Sequence, residues 1–202
     1  MHNRKILIIG EVYVDQHLDI IENGYSTSRL GGIFHAARSC DALNIEYALA
    51  YYAPDYLVKD VEKFGIDVLR ASSIFRLGKV DKAPNVMLIG QSDESGNQLY
   101  ENILGRQAEY VSMLPFMQVL DDFDPTDIII FPGRYGNAGI LSNLSNYEGK
   151  IHIDMNYDCD DILDLDTIKI QTVFLSTSST SFEEFFKAVS YTHLTLPTTS
   201  RV

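Results

Sequence analysis

The chain has 202 residues, 16 Lys+Arg against 28 Asp+Glu, a net charge of −12 and 46% hydrophobic content. That composition excludes wholesale disorder and collagen-like chains, and the acidic balance argues against nucleic acid or an anionic membrane surface as a partner. No apolar run approaches a membrane span or a signal peptide, and two cysteines, Cys40 and Cys159, make no disulfide framework, so a soluble cytoplasmic protein with reduced thiols is expected.

Arg4 to Gly10 (RKILIIG) is a continuous apolar run of strand length, the pattern of a strand buried on both faces. Just past it, Gly10-Glu11-Val12-Tyr13-Val14-Asp15 places an acid at the strand's carboxyl end, the edge where open α/β sheets bind ligands. Asp15 is suited to accept hydrogen bonds from substrate hydroxyls; the alternative is a solvated turn aspartate. Leu30-Gly31-Gly32 then opens a helix running to Leu43, with Ile33, Ala36, Ala37, Cys40 and Leu43 on one face. Paired glycines and the N–H groups of a helix start allow close approach of a polar ligand, or simply make a tight turn. His35 and Arg38 lie in that helix's first turns.

Tyr47 to Ala53 reads as a strand, and Pro54 to Phe64 as a helix with Pro at its start and Gly65 at its end. Asn85 to Gly90 and Asn97 to Asn102 flank a turn-rich segment and read as a β-hairpin, which with His17 to Ile21 makes a small second sheet. Asp127 to Phe131 (DIIIF), Lys150 to Met155 (KIHIDM) and Thr172 to Leu175 (TVFL) are three further buried-type strands. Strands alternating with helix-length segments predict an α/β fold with a mainly parallel, doubly wound sheet.

Two motifs are weaker. Gly133-Arg134-Tyr135-Gly136-Asn137-Ala138-Gly139 is neither G-x-G-x-x-G nor a P-loop, and a glycine-rich turn lining the same sheet edge is expected there. Asp154-Met155-Asn156-Tyr157-Asp158-Cys159-Asp160 has the first spacings of a calcium loop, but Cys159 replaces its glycine and Leu165 its final glutamate.

Taken together, GEVYVD, LGG opening a helix, the inserted hairpin and the DMNYD strand end resemble the phosphofructokinase B (ribokinase-like) family of carbohydrate kinases. The resemblance runs in order through residues 4–187 and implies a ribokinase-like α/β domain over residues 1–188. It also implies a β lid from about residues 16–30 and 70–105. The implied activity is transfer of the ATP γ-phosphate to a hydroxyl of a sugar or nucleoside, with Mg2+. Asp15, Tyr13, Gly31, Gly32 and His35 are the implied substrate-binding residues, and a homodimer through the lid is expected. Departures from the family pattern are Tyr13 in place of a common Asn, Ala36 in place of another, no Arg after DMN, and Ser178-Ser179-Thr180-Ser181 in place of Asn-x-x-Glu. A non-catalytic relative that senses a sugar or nucleoside is the alternative reading.

At the C-terminus, Ser181 to Lys187 (SFEEFFK) starts like a helix with Ser181 as its cap, and the pattern then stops. Val189 to Thr198 reads as one frame of a transposon-derived sequencing adapter, GTC TCT TAT ACA CAT CTG ACG CTG CCG ACG. The bases CT that precede it fit Ala188. The flanking primer site reads GTG TAG, valine then stop, and the chain ends at Val202. Residues 189–202 are therefore expected to be a non-native tail. The expected Gly-Ala-Gly-Asp segment, with the catalytic aspartate and nucleotide-binding part, is absent from the sequence, so no catalytic residue is assigned.

Overall fold

The computed structural model describes residues 4–18, 27–92, 98–103, 108–131, 140, 143–155 and 170–175. The glycine-rich turn 133–139, the aspartates 158 and 160, Cys159, the residues 178–187 and the tail 189–202 lie outside the described residues.

Strand β1 (Lys5–Glu11) is buried along nearly its whole length, as its unbroken apolar run requires. Alternate residues of a strand face opposite ways. Leu7 and Ile9 accordingly join one core cluster, while Ile6 and Ile8 join the other. The same alternation governs β4 (Glu46–Ala53): Ala48, Ala50 and Tyr52 face one layer, and Tyr47, Leu49 and Tyr51 the other. Burying each such large apolar side chain is worth roughly 1.5–3 kcal/mol. The two cores on either face of one sheet therefore dominate the stability.

Around β1 and β4 a seven-stranded sheet assembles among the described residues. Its remaining strands are β5 (Ser73–Asp81), β8 (Glu109–Ser112), β9 (Asp127–Ile130), β10 (Lys150–Met155) and β11 (Ile170–Leu175), in the order β11-β10-β9-β1-β4-β5-β8. All neighbours are parallel except β5 and β8. From β1 the chain winds outward through β4 and β5, then returns to build β9, β10 and β11 on the other side. The sheet is therefore doubly wound, with its switch point at β1. Helix α1 (Phe34–Ala42) covers one face, together with α2 (Val58–Lys63), and α3 (Phe116–Phe123) covers the other. Buried Cys40 of α1 is unbridged, and burial pushes its thiol pKa up.

A smaller sheet of β2 (Val14–His17), β3 (Thr27–Leu30), β6 (Val86–Ser92) and β7 (Gln98–Ile103) has the order β3-β2-β6-β7. The expected hairpin is β6 and β7. Its partner strand begins earlier than expected, at Val14 instead of His17, because Val14 pairs with Val86 and its N–H reaches Asn85 O.

Three differences from the sequence reading have physical causes. Residues 73–81, within the stretch expected as lid, form β5 of the main sheet, since Ser73 to Lys79 pair with β4. The helix after Pro54 does not end at Gly65. It widens into a π turn over Phe64–Val68, and the left-handed residue that ends the segment is Arg70 (φ 53°). Helix α3 was not anticipated, although Phe116, Val119, Leu120 and Phe123 follow Pro115 at helical spacing. Among the described residues no helix is long and apolar enough to cross a membrane.

Candidate functional site

The carboxyl end of β1 is where the chain leaves the main sheet for the smaller one. It returns over Gly31 and Gly32 into α1, and crosses again between β5 and β6. These crossings are tied by backbone hydrogen bonds. Gly31 N–H donates to Tyr13 O (2.8 Å) and Ile33 N–H to Glu11 O (3.1 Å). Phe34 and His35 N–H turn back to the carbonyls of Gly31 and Gly32. The N–H groups of Gly31, Ile33, Phe34 and His35 thus hold the chain crossing together and are not presented to a ligand.

Both glycines are required here. Gly32 has φ +61°, and a Cβ on it would collide with the carbonyl oxygen of Glu11. A Cβ on Gly31 would occupy the space of the Asp15 carboxylate. The glycine pair therefore makes the cradle into which Asp15 fits.

Asp15 is no solvated turn residue. It lies within β2, directly opposite Arg29 of β3, and its side chain is only 6% exposed. His35 Nε2 lies 3.0 Å from Asp15 Oδ2, and Arg29 Nε lies 3.6 Å from the same oxygen. Oδ2 accepts no well-aligned hydrogen bond among the described residues, so both contacts are ion pairs in character when His35 is protonated. Arg38, one turn into α1, donates to Leu30 O (2.8 Å) and lies over the Phe64 ring. Burial, followed by the nearby Arg29 charge, lowers its pKa.

Tyr13 turns its hydroxyl toward Glu11, donating to Oε2 (2.7 Å). Glu11 is 4% exposed, and its other oxygen accepts from Tyr110 OH (2.8 Å). Asn85 Nδ2 donates to Val12 O (3.0 Å) and approaches Glu11 Oε2 (3.3 Å). A buried carboxylate thus fastens both chain crossings, with Asn85 in the left-handed region (φ 48°).

The structure brings Asp15, Gly31, Gly32 and His35 together, with Tyr13 bridging to Glu11. Sequence reasoning passed over Arg29, Glu11 and Asn85. For Arg29 no local signal was available, because only the antiparallel β2–β3 register makes it and Asp15 an opposed charge pair. Elsewhere on this sheet edge, burial raises the pKa of the Asp154 carboxyl on β10. Among the described residues no three His, Cys, Asp or Glu side chains gather to hold a metal ion.

No family model matches the sequence, and no curated protein matches it. Solved structures do. A ribokinase from Giardia lamblia superposes with a TM-score of 0.61 at 16% identity, over 93% of this chain and 66% of that one. A fructokinase from Xylella fastidiosa gives 0.55 at 11% identity, over 77% and 53%. A microbiome-derived acarbose kinase gives 0.51 at 12% identity, over 92% and 67%. The chain thus has a ribokinase-like fold, and it spans about half to two thirds of the length of these kinases.

Proposed function

We propose that the protein is the substrate-side part of a carbohydrate kinase, which in its intact form moves the ATP γ-phosphate to a hydroxyl of a sugar or nucleoside. The observation that carries this reading is the placement of Asp15. An acid buried against a glycine pair stands in the smaller sheet, just past the carboxyl end of β1 at the switch point of the doubly wound sheet. The fold likeness to sugar kinases supports it.

In this reading the substrate lies between the carboxyl end of β1 and the smaller sheet, within reach of Asp15, Gly31, Gly32, Tyr13 and His35. The smaller sheet closes above it, excluding water from transfer. ATP and Mg2+ rest on the resemblance alone, and ATP would supply the transferred phosphoryl group. Since no Gly-Ala-Gly-Asp segment occurs in these 202 residues, the chain by itself is expected to bind substrate without turning it over. A homodimer through the smaller sheet, whose outer strands are β3 and β7, belongs to the same proposal.

The test is calorimetry of the full chain with a panel of sugars and nucleosides, neutral and anionic. Asp15→Ala is expected to weaken the binding that is found by tenfold or more, since a hydrogen bond or ion pair to a charged group is worth roughly 1.5–3 kcal/mol. Unchanged affinity removes Asp15 from the site.

A further inference from the structure

We infer that the site beside Asp15 selects a sugar bearing an anionic group, a carboxylate or a phosphate, recognised by Arg29 and His35 with Asp15 as their positioning residue. The inference rests on the substrate-side reading above and narrows its substrate class.

The accessible side chains beside Asp15 are basic. The Asp15 side chain is 6% exposed, whereas those of Arg29 and His35 are 50% and 49% exposed. Both converge on one carboxylate oxygen, Oδ2. A ligand that enters meets guanidinium and imidazole first. A ligand with hydroxyls alone competes with two basic side chains for Oδ2 and offers them no charge of its own. An anionic group adds to the two donors and displaces nothing.

Geometry favours this division of roles. Arg29 sits opposite Asp15 in the β2–β3 register, with its Nε 3.6 Å from Oδ2. Its two Nη groups make the planar fork that fits two oxygens of a carboxylate or phosphate. His35 Nε2 approaches from the other element, the first turn of α1, so strand and helix supply one donor each. Arg38 is tied to Leu30 O and packs on Phe64, adding a fixed positive charge behind them. Arg29 and Arg38 stand with His35 around a single acid in a chain of net charge −12, so this patch opposes the sign of the whole molecule. Gly31 sets the arrangement, because any side chain there would push the Asp15 carboxylate out from between its partners.

The experiment is calorimetric titration of the full chain with matched probes: glucose, glucuronate and glucose 6-phosphate, and ribose with ribose 5-phosphate. At least one anionic sugar is expected to bind tenfold or more tightly than its neutral counterpart. Glucuronate against glucose 6-phosphate tells carboxylate from phosphate. Arg29→Gln and His35→Gln are each expected to cut that preference by threefold or more. Arg29→Lys is expected to keep part of it. Sugar binding that depends on Asp15 but shows no anionic preference, or a preference untouched by both substitutions, overturns this inference and leaves the substrate-side reading standing. No sugar binding at all, or binding indifferent to Asp15→Ala, overturns both.

Discussion

Gly32→Ala is expected to lower the unfolding free energy by about 3 kcal/mol or more. A left-handed conformation costs an L-residue roughly 1–2 kcal/mol, and Gly32 holds φ +61°. The added Cβ would also meet the Glu11 carbonyl oxygen, which is backbone and part of the bond from Ile33 N–H. Backbone cannot rotate away as a side-chain tip does, so the crossing between β1 and α1 must open. Natural domains keep only about 5–15 kcal/mol in reserve, so the loss is a large fraction of the total. Urea unfolding followed by circular dichroism measures it. Gly31→Ala makes a contrast, because its clash is with the Asp15 carboxylate. That variant is expected to unfold closer to the wild-type midpoint while losing ligand binding. A Gly32→Ala variant with an unchanged midpoint would show that the crossing is not built as described.

Glu11→Ala is the second large effect, expected at about 3 kcal/mol. Its carboxylate accepts from the hydroxyls of Tyr13 and Tyr110 and stands beside Asn85 Nδ2, at a site 4% exposed. Hydrogen bonds to charged groups are worth roughly 1.5–3 kcal/mol each, and they do not add in full. Removing the acceptor leaves polar partners facing a cavity. Glu11→Gln keeps the shape and one acceptor, and is expected to cost less than half as much. Because Tyr13 and Asn85 lie on the two crossings to the smaller sheet, amide exchange at Val14, Leu30 and Val86 is expected to accelerate in Glu11→Ala. Equal stability of the Ala and Gln variants would rule out the carboxylate as the organising acceptor.

The main sheet was largely legible because strands buried on both faces carry an unmistakable pattern. RKILIIG, DIIIF and KIHIDM are continuous apolar runs, and all three appear as strands within a residue or so of their expected limits. β5 was not legible. SIFRLGKVD mixes charged and apolar residues because its outer neighbour is the short antiparallel β8, and much of it is only half-buried. The Gly65 error has a similar lesson. Glycine often ends helices through a positive φ, but here it lies against Ile74 in the π turn, and Arg70 takes the left-handed role.

At the site, local sequence located Asp15, Gly31, Gly32 and His35 because they fall at strand and helix ends along one stretch of chain. It could not reveal that Asp15 is buried, since burial comes from the Gly31 cradle and from pairing with β3 and β6. Glu11, Asn85 and Tyr110 are separated by 74 and 99 residues from Glu11 to its two partners, and only the fold unites them. Exposure was equally invisible: the sequence presents an acid with an arginine and a histidine nearby, and the structure makes the acid the hidden member.

The most direct test of Asp15 and its neighbours as the substrate site is amide chemical-shift mapping of the 15N-labelled full chain during titration with whichever sugar binds. Shifts are expected to concentrate at Gly31, Gly32 and His35 and along Val14 to His17, on both sides of the crossing between the two sheets. Shifts confined to the opposite end of the main sheet, around Asp127, Lys150 and His152, or no perturbation at Gly31 and Gly32 at saturation, would contradict the account.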